Sequence, residues 1–287
     1  MNEICTQFGT ERHLCGTLTL PGATPPAPVS VLLFNAGVIH RIGPHRINVK
    51  LARHLASLGI ASLRFDLSGQ GDSRASSSPA PYREQAVADL RAAMDQFERM
   101  TGVQRFAVFG ICSGADHGWA CAQQDERLVG LFMLDGYAYP TRKTRWLLYQ
   151  RKFEERGWRS SLGWAVQRAA DLPARLLGRS DAPDTSDGRE TPPAADFARA
   201  TQALVDRGVD IVMLYSGSLL NTYNYPEQFQ DVFGHHPFAQ RIRCEFRPDI
   251  DHTVTPLAAQ HETLRLVGDW ARALASRVQA LPQRNAA

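Results

Sequence analysis

The sequence predicts an α/β chain, a mostly parallel sheet flanked by helices with a helical cap inserted late. Three observations carry this. Apolar runs at VSVLLFN (29–35), RFAVF (105–109), LVGLFML (128–134) and VDIVMLY (209–215) have the length and β-branched content of strands buried on both faces. Amphipathic helical segments alternate with them, and strand–helix–strand repetition implies right-handed crossovers between parallel strands. Residues 138–205 break the rhythm, with short helical stretches and breakers but no strand pattern. An insertion between two sheet strands sits over the crevice at their carboxyl edge, so these residues read as a cap.

Each element follows in order. Residues 13–20 (HLCGTLTL) alternate loosely before Pro21-Gly22 and, with the segment ahead of them, form an opening hairpin. After the strand at 29–35 comes the loop AGVIHRIGP, then a helix over 45–58 with Ile47, Leu51, Leu55 and Leu58 on one face. IASLRF (60–65) is the next strand, and the polar loop DLSGQGDSRASSSPAP follows it. A helix over 83–100 carries Val87, Leu90, Met94 and Phe97 inward. The strand at 105–109 runs into a turn and helix at 110–124, and the strand at 128–134 precedes the cap. RIRCEF (241–246) is the last strand, and 256–277 a closing amphipathic helix with Leu257, Leu264, Val267, Trp270 and Leu274. The core is thus expected at 1–137 and 206–287, with the cap at 138–205.

Composition narrows the function classes. At 287 residues, 44% hydrophobic and 21% charged, the chain can bury a sizeable core without staples. A formal charge of +3 is too slight to imply a nucleic-acid or membrane partner. Five dispersed cysteines with no CxxC pair argue against a disulfide framework and a zinc knuckle. No GxGxxG follows a strand and no metal-ligand spacing occurs, so no cofactor or metal is expected. The first residues lack a basic stretch followed by an apolar run, and no apolar run approaches the ~18 residues of a membrane span. These features predict a soluble, reduced, cytoplasmic protein; oligomeric state leaves no mark in the sequence. The cap is locally basic, with ten Lys or Arg against three Asp or Glu over 141–179.

The informative motif is Gly110-Ile111-Cys112-Ser113-Gly114, between a buried strand and a helix. Gly-x-nucleophile-x-Gly in that context makes a strained elbow, in which glycines let strand and helix pass closely. Centring on Cys112 places glycines at both flanking positions. Centring on Ser113 would place Ile111 and Ala115 there, and a β-branched residue suits the crossing poorly. Cys112 is therefore the expected nucleophile and Ser113 the rival. A helix N-terminus favours the thiolate, the reactive form. Cys121, two turns along the same helix, reads as core packing.

The chain resembles an α/β-hydrolase of the serine-aminopeptidase and esterase-like superfamily over nearly its whole length. The hairpin, LLFNAG after the first buried strand, LRFDLSGQGDS after the second, the elbow, the cap and a late Asp-His fall in the expected order. Arg41-Ile42-Gly43-Pro44-His45-Arg46 and the elbow cysteine are similar to the exosortase-associated hydrolases. Cysteine at that position also resembles dienelactone hydrolase.

The resemblance implies a base and an acid, in chain order nucleophile, acid, His. His252, in Asp251-His252-Thr253-Val254, follows the last strand and is the expected base; His117 and the pair His235-His236 are lesser candidates. The family's usual acid site, after the penultimate strand, reads Ser216-Gly217-Ser218-Leu219-Leu220-Asn221 and holds no carboxylate. A second known solution puts the acid after the strand that follows the nucleophile, where Asp135 stands. Glu227 or Asp231 is the alternative, and a Cys nucleophile could also do without an acid. The oxyanion hole would use the Ser113 backbone N–H and a second N–H from Gly37 or Ala36.

Arg41, His45 and Arg46 would either bind an anionic part of the substrate or be solvated charges. Asp66 and Asp72 read as loop-stabilising residues.

The expected activity is cleavage or transfer of an acyl group from a small ester or thioester, free or carrier-protein-bound. Cys112 would form the acyl-enzyme and His252 would act as base. A thioester intermediate makes acyl transfer or cyclisation an alternative to hydrolysis. A hydrolase-fold protein that binds a ligand without turnover is the rival class, motivated by the missing carboxylate after the penultimate strand.

Overall fold

The computed structural model describes residues 1–22, 26–35, 37–154 and 190–280. Eight strands form one sheet: β1 (Asn2–Phe8), β2 (Leu14–Leu20), β3 (Ser30–Leu33), β4 (Ser62–Phe65), β5 (Phe106–Ile111), β6 (Leu128–Leu134), β7 (Asp210–Ser216) and β8 (Arg243–Arg247). Their spatial order is β1-β2-β4-β3-β5-β6-β7-β8. β1 and β2 form the expected antiparallel hairpin, β2 joins β4 antiparallel, and every pair from β4 to β8 is parallel.

The continuous apolar runs became the sheet's centre because both their faces are covered. SVLL of β3 and FAVFGI of β5 are buried at every residue. β8 is one of the two edge strands, with the alternating charges Arg243, Glu245 and Arg247, which discourage pairing with another chain. It begins two residues later than its apolar pattern predicts.

Two apolar layers sandwich the sheet. On one face α1 (Ile47–Ser57) and the closing helix α7 (Leu257–Ala280) cover Val31, Leu33, Phe109, Phe132 and Val212 with Leu51, Leu55, Val267, Trp270 and Leu274. Leu257, predicted to face inward, is exposed at the first residue of that helix. On the other face α2 (Tyr82–Thr101), α3 (Ser113–Ala122) and α5 (Ala194–Asp206) pack Leu90, Phe97, Trp119, Phe197 and Leu204 against Leu32, Val108 and Leu131.

Of the expected cap, residues 142–154 form a helix, α4, and most of the remainder (155–189) lies outside the described residues. α5 also falls within the expected cap range, yet it buries Phe197, Ala198, Thr201, Leu204 and Val205 against the core. It is the crossover helix between β6 and β7, followed by a short α6 (Gln228–Phe233). No helix among the described residues is long and apolar enough to cross a membrane.

Candidate active site

The elbow brings strand, turn and helix together within four residues. Cys112 sits between β5 and α3 at φ 57°, ψ −125°, a left-handed conformation costly for a side-chain-bearing residue. The flanking glycines are needed for space. A Cβ on Gly110 would lie 2.5 Å from Ala115 N, and one on Gly114 would lie 2.8 Å from the Asn35 carbonyl oxygen. The strained position is therefore Cys112 and not Ser113, whose backbone already belongs to α3.

Parallel strands deliver the partners to the same edge. Asp135 follows the last residue of β6, with φ 53°, and its N–H donates to the Leu214 carbonyl of β7 at 2.9 Å. Its carboxylate is fully buried. His252 arrives on the loop after β8, and its Nδ1 hydrogen-bonds Asp135 Oδ2 at 2.7 Å. The same imidazole hydrogen-bonds Cys112. The bond to Asp135, followed by that to Cys112, pushes the histidine up from 6.5 to about 10. Val254, two residues on, is fully buried at φ 54°, an uncommon conformation for a β-branched residue. Backbone strain thus collects on the three loops that carry Cys112, Asp135 and His252, as it does where a constellation must be held.

The structure brings Cys112, His252 and Asp135 together and leaves the other acid candidates elsewhere. Glu227 faces Lys143 at 3.5 Å, and Asp231 accepts from the Tyr225 hydroxyl at 2.7 Å. His117 is buried, edge-on to the Tyr82 ring at 5.3 Å. His235 and His236 lie against each other, with ring centroids 4.1 Å apart. The remaining thiols differ in character. Burial pushes Cys121 and Cys244 up to about 12, whereas Cys5 is exposed.

The residues expected at the oxyanion hole also converge, with one unforeseen detail. The Gly37 N–H donates to Ser113 Oγ at 3.1 Å, so the serine hydroxyl lies on one of the two expected donors. Ala36, the other candidate, lies outside the described residues. A cavity of about 580 Å³ opens beside them, lined by Gly37, Ser113, Asp116, His117, Tyr82 and Tyr137 among others. A larger one, about 750 Å³, lies at the opposite edge of the sheet near Arg105, Leu128 and Val209, away from the thiol.

Arg41 is not a solvated charge. Its guanidinium bonds the fully buried Asp66 and, at 2.7 Å, Asp72, and its backbone N–H also donates to Asp66 at 2.6 Å. Asn35, itself buried, donates to the same carboxylate at 2.9 Å and accepts from Leu67 N at 2.6 Å. Arg41 is thus the clamp that ties the loop after β3 to the loop after β4, its charge already matched. His40, Asp66 and Asp72 present donor atoms within 4.8 Å of one another, but Arg41 already supplies the cation there. His45 and Arg46 are exposed, both at positive φ. Arg41→Ala is therefore expected to lower stability by about 1.5–3 kcal/mol, the loss of a hydrogen bond to a charged group. Thermal melting with parallel kinetics checks this; a large rise in KM with an unchanged Tm would restore the substrate-binding role.

Ser216 and Ser218 carry no weight in the sequence reading, where they mark only a missing carboxylate. Ser216 donates to Asp135 twice, N–H to Oδ1 and Oγ–H to Oδ2, both at 2.7 Å. A small-residue turn facing an Asp-Gly across two strand ends is too common a pattern to have revealed this.

Comparison with known proteins follows the same line. The family model of the alpha/beta hydrolase fold matches residues 31–189, more than half the chain. The chain belongs to the α/β-hydrolase family. Among solved structures it is similar to an α/β serine hydrolase without lid from Xanthomonas campestris, at 16% identity and TM-score 0.56, covering 98% of each chain. It is also similar to Est1E from Butyrivibrio proteoclasticus, at 14% identity and TM-score 0.58, covering 95% of this chain and 99% of that one. A proline iminopeptidase from Mycobacterium smegmatis gives 18% identity and TM-score 0.54 over 96% and 100% of the two chains. At these identities the likeness is one of fold. None of the curated proteins matches the chain in sequence.

Proposed function

We propose that the chain is an acyl-group hydrolase or acyltransferase that works on a small ester or thioester through a Cys112 acyl-enzyme. The observation that carries this reading is the single chain of contacts Cys112–His252–Asp135, with Cys112 on the strained elbow. His252 takes the thiol proton, and the sulfur attacks the acyl carbonyl carbon. The tetrahedral oxyanion is held by the backbone N–H of Ser113 and that of Gly37. As it collapses, the carbon–oxygen or carbon–sulfur bond of the substrate breaks and His252 returns the proton to the leaving group. Water, an amine or a thiol then attacks the thioester, His252 takes its proton, and the thiol is regenerated.

A Gly37 N–H already engaged by Ser113 Oγ implies that the hydroxyl turns aside when an oxyanion forms. Ser113→Ala is accordingly expected to change kcat/KM by less than about tenfold, against at least about a thousandfold for the nucleophile. Steady-state kinetics on both variants decides the register; a thousandfold loss in Ser113→Ala would make the serine the nucleophile.

Turnover is favoured over ligand binding because Asp135 supplies the carboxylate whose absence after β7 would argue against catalysis. The elbow cysteine and the 41–46 loop support a likeness to the exosortase-associated hydrolases. The acyl part, free or carrier-bound, has room in the cavity beside Ser113.

Intact-mass spectrometry of wild type and Cys112→Ala with acyl thioesters and 4-nitrophenyl esters tests the proposal. An adduct on wild type alone supports it, and added amines, alcohols or water then sort transfer from hydrolysis. Neither adduct nor turnover, with Cys112 also inert to iodoacetamide, would leave a ligand-binding protein.

A further inference from the structure

Ser216 and Ser218 lie where the family's acid usually stands, and their hydrogen bonds have a closed form. The His252 backbone N–H donates to Ser218 Oγ at 2.8 Å. Ser218 N–H donates to Ser216 Oγ at 3.1 Å. Ser216 Oγ–H donates to Asp135 Oδ2 at 2.7 Å, and the same oxygen bonds His252 Nδ1 at 2.7 Å. Four hydrogen bonds therefore leave the histidine at its main chain and return to it at its ring. We propose that Ser216 and Ser218 are positioning residues, which close this ring and so fix the rotamer and tautomer of His252. The inference rests on the proposed role of His252 as the base for Cys112.

The residue types are those the ring needs. Position 216 must accept one N–H and donate one proton at once, which a hydroxyl does and an alanine cannot. Because its acceptor side takes Ser218 N–H, its single proton goes to the carboxylate. Ser216 also gives its backbone N–H to the other oxygen at 2.7 Å, so one residue sets the plane of the carboxylate. That plane holds Nδ1–H and leaves Nε2 to the thiol.

The turn between the serines is pressed against the histidine loop. Gly217 N–H donates to the Ile250 carbonyl at 2.8 Å, and a Cβ at 217 would lie 2.3 Å from the Pro248 carbonyl oxygen. Only glycine permits that approach. Asp135 and Ser216 are fully buried, so the ring's carboxylate end is dry, where such bonds hold geometry most firmly.

Ser216→Ala, Ser218→Ala, their double variant and Ser218→Thr test this. Two readouts are used on proteins that melt cooperatively. One is the downfield proton resonance of the His252 Nδ1–H. The other is the pH profile of iodoacetamide alkylation at Cys112, followed by peptide mass in a Cys5→Ser background. Each alanine variant is expected to lose or broaden the resonance and to slow alkylation about tenfold, the equivalent of one hydrogen bond. Ser218→Thr, which keeps the hydroxyl, restores both.

The double variant should be scarcely slower than the worse single, because either alanine opens the same ring. Costs that multiply, or an unchanged resonance and profile in both single variants, would overturn the proposal. If buried Ser216→Ala does not fold, exposed Ser218→Ala carries the test alone. Should wild-type Cys112 react no faster than Cys5 in the parent chain, the nucleophile reading fails; the His252 resonance still decides the ring.

Discussion

Cys112→Ala is expected to leave no acyl adduct and to lower kcat/KM at least about a thousandfold on any ester the wild type accepts. The size follows from position. The strained elbow costs of order 1–3 kcal/mol of backbone strain and holds a side chain clear of the sheet at a helix N-terminus. Nothing else in the site can take the role without moving. Ser113 Oγ accepts from Gly37, while Cys121 and Cys244 are held protonated by burial. Removing the sulfur also relieves nothing structural, because alanine at 112 inherits the same φ. Melting temperatures of wild type and variant should therefore agree within a few degrees while activity separates them. Retention of more than a tenth of wild-type turnover by Cys112→Ala would refute a covalent cysteine mechanism.

Asp135→Asn should have the next largest effect, a fall in kcat of about 10²–10³. A serine triad loses about 10⁴ when its acid becomes an amide, because the histidine adopts the wrong tautomer. A thiol asks less of its base, so the loss is smaller. The amide NH₂ would meet Nδ1–H where Oδ2 now accepts it, and the ring would turn over or leave.

The pH consequence has a definite sign. His252 titrates near 10 in the folded chain against 6.5 ordinarily, so protonation favours the fold. That stabilisation is complete below pH 6.5 and is lost as pH rises through about 10. The melting-temperature gap between wild type and Asp135→Asn should accordingly be widest near pH 6 and close towards pH 10. Titration of His252 by NMR in the variant should fall back towards 6.5; an unchanged titration would mean that Asp135 is not what holds the proton.

Much of the fold was legible because its signals are local. A run such as VLL in β3 or FAVFG in β5 must be buried on both faces, whatever surrounds it. The elbow was legible for the same reason, since two glycines around Cys112 mark a crossing only four residues long. Boundaries were less so. α5 was folded into the expected cap because its apolar face, Phe197 and Leu204, identifies a helix but not the surface it covers. Arg41 shows the limit for charges: an arginine in a glycine-rich loop looks alike whether it meets a substrate or a buried carboxylate. Only Asp66, 25 residues on, distinguishes the two.

The sequence by itself determined the order of strands and helices, the glycine-framed elbow at Cys112 and the family. These depend on hydrophobic period, glycine spacing and chain order, which are properties of neighbours along the chain. The tertiary structure decided which of the carboxylates offered by the sequence partners His252, Asp135 across 117 positions, and it alone decided that Ser216 and Ser218 close a ring around that pair and that Arg41 is a clamp. These depend on which strand ends lie side by side in the sheet. A hydrogen bond of 2.7 Å between residues so far apart leaves no periodicity for a sequence to display.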